Sequence, residues 1–186
     1  MTALVDLVHA AQNGDRDSFA ALYAAYARMV HGILLARVPR TDVEDLVQDV
    51  FLSAMQQLHT VRRPEAFGGW LAALARNRAT DHLRRVGTNV LEAIDDAPPS
   101  AQTTHRVART QAAACVAAVD ERSEALHVLA IIRTLPDAYR ETLVLRLVEG
   151  MTGPEIAERT GLTAASVRVN LHRGFKLLRQ RLGVSV

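Results

Sequence analysis

The side chains best suited to recognising a ligand form a basic, amide-bearing helical face near the end of the chain. Residues 162–186 contain five basic residues and no acidic residue. Arginine can bridge guanine O6 and N7, and asparagine can bridge adenine N6 and N7. Cations near the C-terminus of a helix stabilise it through the helix dipole, which would explain Arg179 but not Arg168. We therefore predict a duplex-DNA contact face made by Thr163, Ser166, Arg168, Val169, Asn170, His172, Arg173 and Lys176.

A second basic segment lies upstream, where residues 61–86 carry six basic and two acidic residues. Its cations surround the amide Asn77, and the only tryptophan, Trp70, falls on the same helical side. An aromatic ring beside cations suits single-stranded nucleic acid, because bases stack on the ring and phosphates are neutralised. Two alternatives stay open: Trp70 packs in the core, and Asp81 pairs with Arg85. The predicted contact residues are Arg62, Arg63, Trp70, Arg76, Asn77, Arg78, Asp81, Arg84 and Arg85.

An acidic polar cluster precedes this segment on a helix predicted over residues 43–58. Its members are Asp42, Glu44, Asp45, Gln48 and Asp49. Acidic groups in a first helical turn compensate the helix dipole. Asp49 lies two turns in, so this explanation does not cover it. The cluster indicates a partner with a basic surface.

No set of residues in the sequence suits catalysis or metal binding. The seven histidines are scattered, glycines do not form a phosphate-binding loop, and the single cysteine has no activating neighbour. We therefore predict no enzyme activity, catalytic residue, cofactor or metal. Cys115 is interpreted as a small buried side chain, with a redox sensor as the alternative. No apolar run approaches the roughly 20 residues that span a bilayer, and no secretory signal is present, so we expect a cytoplasmic protein without membrane insertion.

Helical periodicity runs through the whole chain, which predicts an all-α fold. Thr41 and Glu44 have the spacing of a capping box for the third helix, and Ser123 is a candidate cap later in the chain. Thr152 and Glu155 have the same spacing, although Gly153 is an alternative cap there. The predicted helices cover residues 3–13, 19–34, 43–58, 67–85, 123–135, 137–148, a short segment ending at Gly161, and a longer one capped by Thr163. The last two form a helix-turn-helix.

Two small helical domains joined by a flexible linker account for this order of elements. Residues 86–105 are rich in glycine, proline and polar residues, as linkers are. Residues 106–119 are alanine-rich and capable of forming a helix, and their role is open. The predicted boundaries are 1–86 for the first domain, 87–122 for the linker and 123–186 for the second domain.

Several segments resemble those of sigma-70-type transcription factors. The run from Asp42 to Phe51 resembles their polymerase-binding helix. Phe67-Gly68-Gly69-Trp70-Leu71, with Ala75-Arg76-Asn77 and Asp81-His82-Leu83-Arg84-Arg85, resembles their promoter-melting and −10-reading segment. Leu135-Pro136, Arg140-Glu141, Glu149-Gly150, Glu155-Ile156-Ala157 and Val167-Arg168 resemble their −35-reading domain. The order and shortness match the extracytoplasmic-function (ECF) subgroup.

The resemblance implies a sigma2-like helical bundle and a sigma4-like helix-turn-helix domain. It implies that the acidic cluster faces the clamp of core RNA polymerase and that the two basic faces contact promoter DNA. Arg62 and Arg63 would form a pocket for a −10 base beside Asn77. Asn170 replaces a residue that is usually basic, so the −35 preference is expected to differ. The resemblance also implies an inhibitory anti-sigma partner and association with the nucleoid when active. An autonomous helix-turn-helix regulator is the alternative.

Overall fold

In a computed structural model, the backbone is described for residues 2–95 and 114–183, and the side chains for residues 3–87 and 124–183. The described residues form eight α-helices and contain no strand, which confirms the predicted all-α class. The helices are α1 Thr2–Gln12, α2 Arg16–Leu35, α3 Val43–Gln57, α4 Phe67–Asp95, α5 Ala114–Arg133, α6 Asp137–Leu147, α7 Gly153–Thr160 and α8 Ala164–Leu182. We call residues 2–95 the N-terminal half and residues 114–183 the C-terminal half.

Helix α2 is the central element of the core. Asp15 caps it by accepting hydrogen bonds from the backbone amides of Asp17 and Ser18. Met29, Val30 and other apolar side chains along it are fully buried. By length and composition α2 could also cross a membrane, but half of its most apolar window is buried inside the protein. We interpret it as a core helix, whose apolar residues are explained by packing.

The N-terminal half differs from the prediction around α3 and α4. The expected capping box is wrong, because a 3₁₀ turn over Arg40–Asp42 precedes α3 and the Thr41 hydroxyl donates to the Asp42 carboxylate instead. The stripe of α3 is buried as expected at Leu46, Val47 and Val50, whereas Met55 is 53% exposed. On α4, Leu83 is likewise exposed. Leu83 lies beyond Ala79, the last fully buried residue of α4, whereas Met55 points away from the core although its neighbours Ala54 and Leu58 are buried.

The predicted linker is partly helical. Helix α4 continues past Arg85 and through Gly87 to Asp95, so the predicted boundary at residue 86 lies inside a helix. A single glycine costs a helix only about 1 kcal/mol, which neighbouring turns can offset. Helix α5 runs through Ser123, which is therefore not a cap. Residues 96–113 lie outside the described residues, as do the side chain of Cys115 and the first part of the 106–119 segment.

The C-terminal half contains the predicted helix-turn-helix. Thr152 and Glu155 form a complete capping box at the start of α7, which decides against Gly153 as the cap. Gly161 ends α7 with φ +73°, a left-handed conformation that favours glycine. Thr163 then caps α8 by accepting from the backbone amide of Ser166 at 3.1 Å. Both helix starts were predicted from local sequence because caps act over three residues.

The two halves pack against each other rather than standing apart. Helices α2 and α4 contact α6 and α7, and one hydrophobic cluster includes buried side chains from both halves. Leu22 and Ile33 belong to this cluster from one side, and Leu143, Leu145 and Ile156 from the other. The structure thus has two helical parts, as predicted, that share a core.

Candidate nucleic-acid interface

Helix α8 presents the predicted duplex-reading residues to solvent. The exposed members are Thr163, Ser166, Arg168, Val169, His172, Arg173 and Lys176. Asn170 is only half-exposed, because it lines a small cavity between the two halves. The arrangement leaves a continuous polar and basic face, the type of surface that enters a major groove.

Tight packing behind α8 holds this face outward. Val167 and Leu178 are buried, and Leu171 and Phe175 pack against the core. Gly174 lies against α6: a β-carbon at this position would lie 3.1 Å from the Leu143 side chain. Since helix register cannot slip past such close contacts, the direction of the basic face is fixed.

The basic segment on α4 is divided by its contacts. Asn77, Arg84 and Arg85 are exposed on the helix, and Arg62 and Arg63 are exposed in the preceding loop. Their side chains are accessible to solvent, although Arg84 also has a contact within the protein. The structure therefore leaves the predicted loop arginines and the amide of α4 exposed to solvent.

Two arginines of this segment are instead engaged within the protein. Arg78 donates a hydrogen bond to the buried hydroxyl of Ser53 at 2.7 Å, which ties α4 to α3. Arg76 makes a two-pronged contact with Glu141 of α6, with Nε and Nη2 donating to the two carboxylate oxygens at 3.0 and 2.7 Å. These hydrogen bonds raise the pKa of Arg76 above its ordinary value. Arg76 is thus held by a carboxylate in this arrangement.

The remaining two members of the set also have intramolecular contacts. Trp70 is half-buried and its ring lies 5.8 Å from that of Phe67, so it combines core packing with an exposed edge. Asp81 pairs with Arg84 at 3.5 Å rather than with Arg85. That pair is exposed, and such pairs contribute little to stability.

The acidic face of α3 is largely free of the core. Glu44, Asp45, Gln48 and Asp49 are exposed, on the side opposite the buried stripe. Asp42 differs, because its carboxylate lies 2.8 Å from Nε2 of His82 on α4. Hydrogen bonds from Thr41 and His82 lower the pKa of Asp42. Asp42 therefore links α3 to α4 in addition to carrying charge.

Two apolar side chains beside this acidic face were missed by the sequence reasoning. Leu52, which is 60% exposed, lies one turn beyond Gln48 and Asp49, and Met55, which is 53% exposed, lies about one turn further along. The available signal was the spacing, since Leu52 follows Gln48 by four residues and so shares its face. An exposed apolar pair beside acidic groups is typical of a protein-binding surface.

Comparison with known families matches both halves. The model described as Sigma-70 region 2 matches residues 22–88, and the model described as Sigma-70, region 4, matches residues 126–178. The first match contains the acidic face and the α4 segment, and the second contains the helix-turn-helix.

Relatives and solved structures agree with these matches. The chain is 33% identical to RNA polymerase sigma factor CarQ of Myxococcus xanthus, over 92% of this chain and 93% of CarQ. It is 29% identical to the ECF RNA polymerase sigma-E factor of Escherichia coli K12, over 90% and 87% of the two chains. The fold is similar to CnrH solved with the cytosolic domain of CnrY, with TM-score 0.62 and 24% identity over 99% of both chains. It is also similar to RpoE from Bartonella quintana solved with the anti-sigma factor NepR, with TM-score 0.57 and 17% identity over 92% and 100%.

Proposed function

Because this chain belongs to the sigma-70 family of RNA polymerase sigma factors, in the ECF subgroup, we propose that three of its helices divide the contacts of promoter-directed initiation. The observation that carries the proposal is the separation of charge on one fold. Helix α3 exposes an acidic face, whereas α4 and α8 expose basic ones. A basic protein partner and two stretches of nucleic acid suit these faces.

Helix α3 contacts the clamp of core polymerase in this proposal. Asp45, Gln48 and Asp49 supply polar and charged contacts, and Leu52 and Met55 supply apolar area next to them on α3. Apolar area beside charged groups on an exposed surface supports this assignment. Glu44 extends the charged rim, and Asp42 fixes α3 against α4 through His82.

The two basic faces contact different forms of promoter DNA. Asn77, with Arg62, Arg63, Arg76, Arg84 and Arg85, binds the separated −10 strand, where bases are accessible to an amide. Helix α8 reads the −35 duplex through Arg168, Asn170 and Arg173, while Lys176 neutralises phosphate. The proposed division places residues 1–86 and 123–186 in the two promoter-binding domains, joined by 87–122.

The chain supplies binding energy, and polymerase performs the chemistry. We assign it no catalytic step of its own, and its site of action is cytoplasmic, at the nucleoid DNA. An anti-sigma protein is its proposed inhibitor, by analogy with the solved complex of the fold neighbour RpoE with the anti-sigma factor NepR. The autonomous-regulator alternative has no specific observation in its favour, since the family matches include the α3 segment as well as the helix-turn-helix.

Run-off transcription with core polymerase tests this function. Purified chain plus core polymerase should initiate at specific start sites on a library of genomic fragments, and core polymerase alone should not. Asn77→Ala should reduce open-complex formation, measured by permanganate reactivity of unpaired thymines, while leaving affinity for core polymerase unchanged.

The matched control is Asn13→Ala, an exposed amide outside the proposed DNA-contact residues. It should behave as the wild type. Failure of the wild type to initiate on any fragment would sink the proposal. Equal loss of core affinity and open complexes in Asn77→Ala would assign that residue to folding instead.

A further inference from the structure

Glu141 joins the two halves through a buried, doubly paired carboxylate. Its side chain is only 6% exposed and receives the two-pronged contact from Arg76. Arg37, at the end of α2, places Nη1 2.9 Å from the same carboxylate, as a charge contact without hydrogen-bond alignment. Both arginines belong to the N-terminal half. Removing either the carboxylate or its arginine partners would leave a buried charge without compensation, which is strongly destabilising. This cluster is therefore a strong determinant of the packing between the halves.

Two glycines in the N-terminal half allow close contact with the C-terminal half. A β-carbon on Gly68, in the first turn of α4, would lie 2.5 Å from the backbone oxygen of Arg159 on α7. A β-carbon on Gly32 of α2 would lie 2.7 Å from the Leu145 side chain on α6. Real β-carbons do not approach this closely. At Gly68 the contacted atom belongs to the backbone, so a larger residue there would push the halves apart, whereas at Gly32 the Leu145 and Glu149 side chains would have to shift. Glycine weakens a helix, so the close packing between the halves is the evident reason for a glycine at each of these two helical positions.

Backbone carbonyls add further contacts between the halves. Arg133 of α5 donates to the carbonyl oxygens of Leu35 and Val38 at 2.8 to 3.1 Å, and Arg159 donates to that of Ala25. On the opposite side, His31 lies 2.6 Å from Glu149. The interface is therefore polar and specific as well as apolar.

Residues proposed to read the two promoter elements meet in this interface. A cavity of about 170 Å³ is lined by Arg76 and Asn170 together with Arg37, Asp137 and Glu141. Arg76 comes from the −10 face and Asn170 from the −35 face. Both are half-buried here, although either would have to be accessible to contact DNA.

We propose that Glu141 is an intramolecular competitor of promoter DNA: it occupies Arg76 in a packed state that must open before Arg76 can join the exposed residues of the α4 segment in binding a single strand. The inference rests on the proposed function of that segment. A carboxylate and a phosphate both accept two parallel hydrogen bonds from a guanidinium, so they compete for the same donor pair. When the binding-competent state is only fractionally populated, apparent affinity falls by that fraction.

Two variants of the full chain open this state by different physical means. Glu141→Gln removes the charge that pairs Arg76 and Arg37 but keeps the side-chain shape. Gly68→Ala adds one methyl group where α4 meets α7, against the Arg159 carbonyl and 3.0 Å from the Tyr26 ring, without changing charge. Alanine is the better helix former, so α4 itself is not weakened.

Each variant has a matched control. Glu124→Gln removes one exposed carboxylate from the same half, which corrects for the general effect of charge on DNA affinity. Gly87→Ala makes the same substitution in the same helix, at a position with no atom within 4 Å. The readouts are the radius of gyration from small-angle scattering and the fluorescence anisotropy of a short, labelled, single-stranded DNA of mixed sequence.

Both variants should increase the radius of gyration and bind the single strand about tenfold more tightly than the wild type, and the controls should match it. Unchanged radii in both variants would overturn the proposal, because neither contact would then hold the halves together. Expansion without tighter binding would overturn it too, since the packed state would not mask the DNA face. Failure of the proposed function is distinguishable: no protein in the series, controls included, would direct initiation by core polymerase.

Discussion

At the scale of single residues, the promoter-reading surfaces differ in how far they are exposed. Arg168 and Arg173 are exposed on α8, whereas Arg76 and Arg78 on α4 make hydrogen bonds within the protein. Exposure makes a side chain available, but only a fixed direction makes it selective. Arg168 satisfies both conditions, because it follows the buried Val167 on a helix held by close packing.

Arg168→Ala should therefore lose selectivity at one position of the upstream promoter element. Loss of a bidentate base contact costs about 1–3 kcal/mol of discrimination. Selection from random duplexes with reconstituted holoenzyme would measure the preference at each base pair. Arg179→Ala, farther along α8, should weaken binding uniformly and leave the selected sequence unchanged. An unaltered sequence preference in Arg168→Ala would contradict the assignment.

At the scale of elements, α7 determines where α8 begins and points. The capping box of Thr152 and Glu155 starts α7, and Gly161 turns the chain into α8. Hydrogen bonds from the backbone and hydroxyl of Thr152 lower the pKa of Glu155. The contribution of the Glu155 carboxylate to folding stability is fully present above its ordinary pKa and is lost as the pH falls through its lowered pKa.

Thr152→Ala should destabilise α7 by about 1 kcal/mol, the usual cost of losing such a cap. Hydrogen exchange of the α7 amides should accelerate, and affinity for the upstream duplex should fall because α8 loses its fixed origin. Thr152→Ser retains a capping hydroxyl and should remain close to the wild type. Equal exchange rates in the alanine and serine variants would show that the cap does not govern this helix.

At the scale of the whole molecule, titratable groups lie between the two halves. His31 of α2 contacts the buried carboxylate of Glu149, and Glu44 of α3 lies 3.7 Å from its other ring nitrogen. The hydrogen bond from Glu149 is the main cause that raises the pKa of His31, and Glu44 adds to it, while burial and Arg40 oppose it. Arg28 also faces Glu149, at 3.9 Å.

The sign of this shift makes the packing between halves stronger in acid. A raised histidine pKa contributes stability that is fully present below the ordinary value of 6.5 and is lost as the pH rises through the raised value. His31→Gln should thus lower the melting temperature most at about pH 5.5 and least at about pH 9. Thermal unfolding across this range measures the difference, with the exposed His59→Gln as control. A difference that grows with rising pH would contradict the pairing.

Local sequence was sufficient for much of the fold and for the exposed parts of the interface. Helical periodicity predicts which faces of α2 and α8 are buried, and the caps at Thr152 and Thr163 predict where two helices start. Both signals act within one or two turns, so they can be recognised without distant residues. The basic face of α8 and the acidic face of α3 follow from the same periodicity.

Contacts between residues distant in sequence were decided only by the tertiary structure. Arg76 and Glu141 are 65 positions apart, and no periodicity relates them. The close approach at Gly68 exists only because α7 packs there, and the exposure of Met55 between the buried Ala54 and Leu58 is likewise not evident from spacing. Sequence alone therefore determined most of the helices and their buried faces, and the family resemblance, but not the extent of α4 and α5. Tertiary packing decided which of the promoter-reading residues are free and which are held by the other half, because partnership depends on three-dimensional proximity rather than on spacing along a helix.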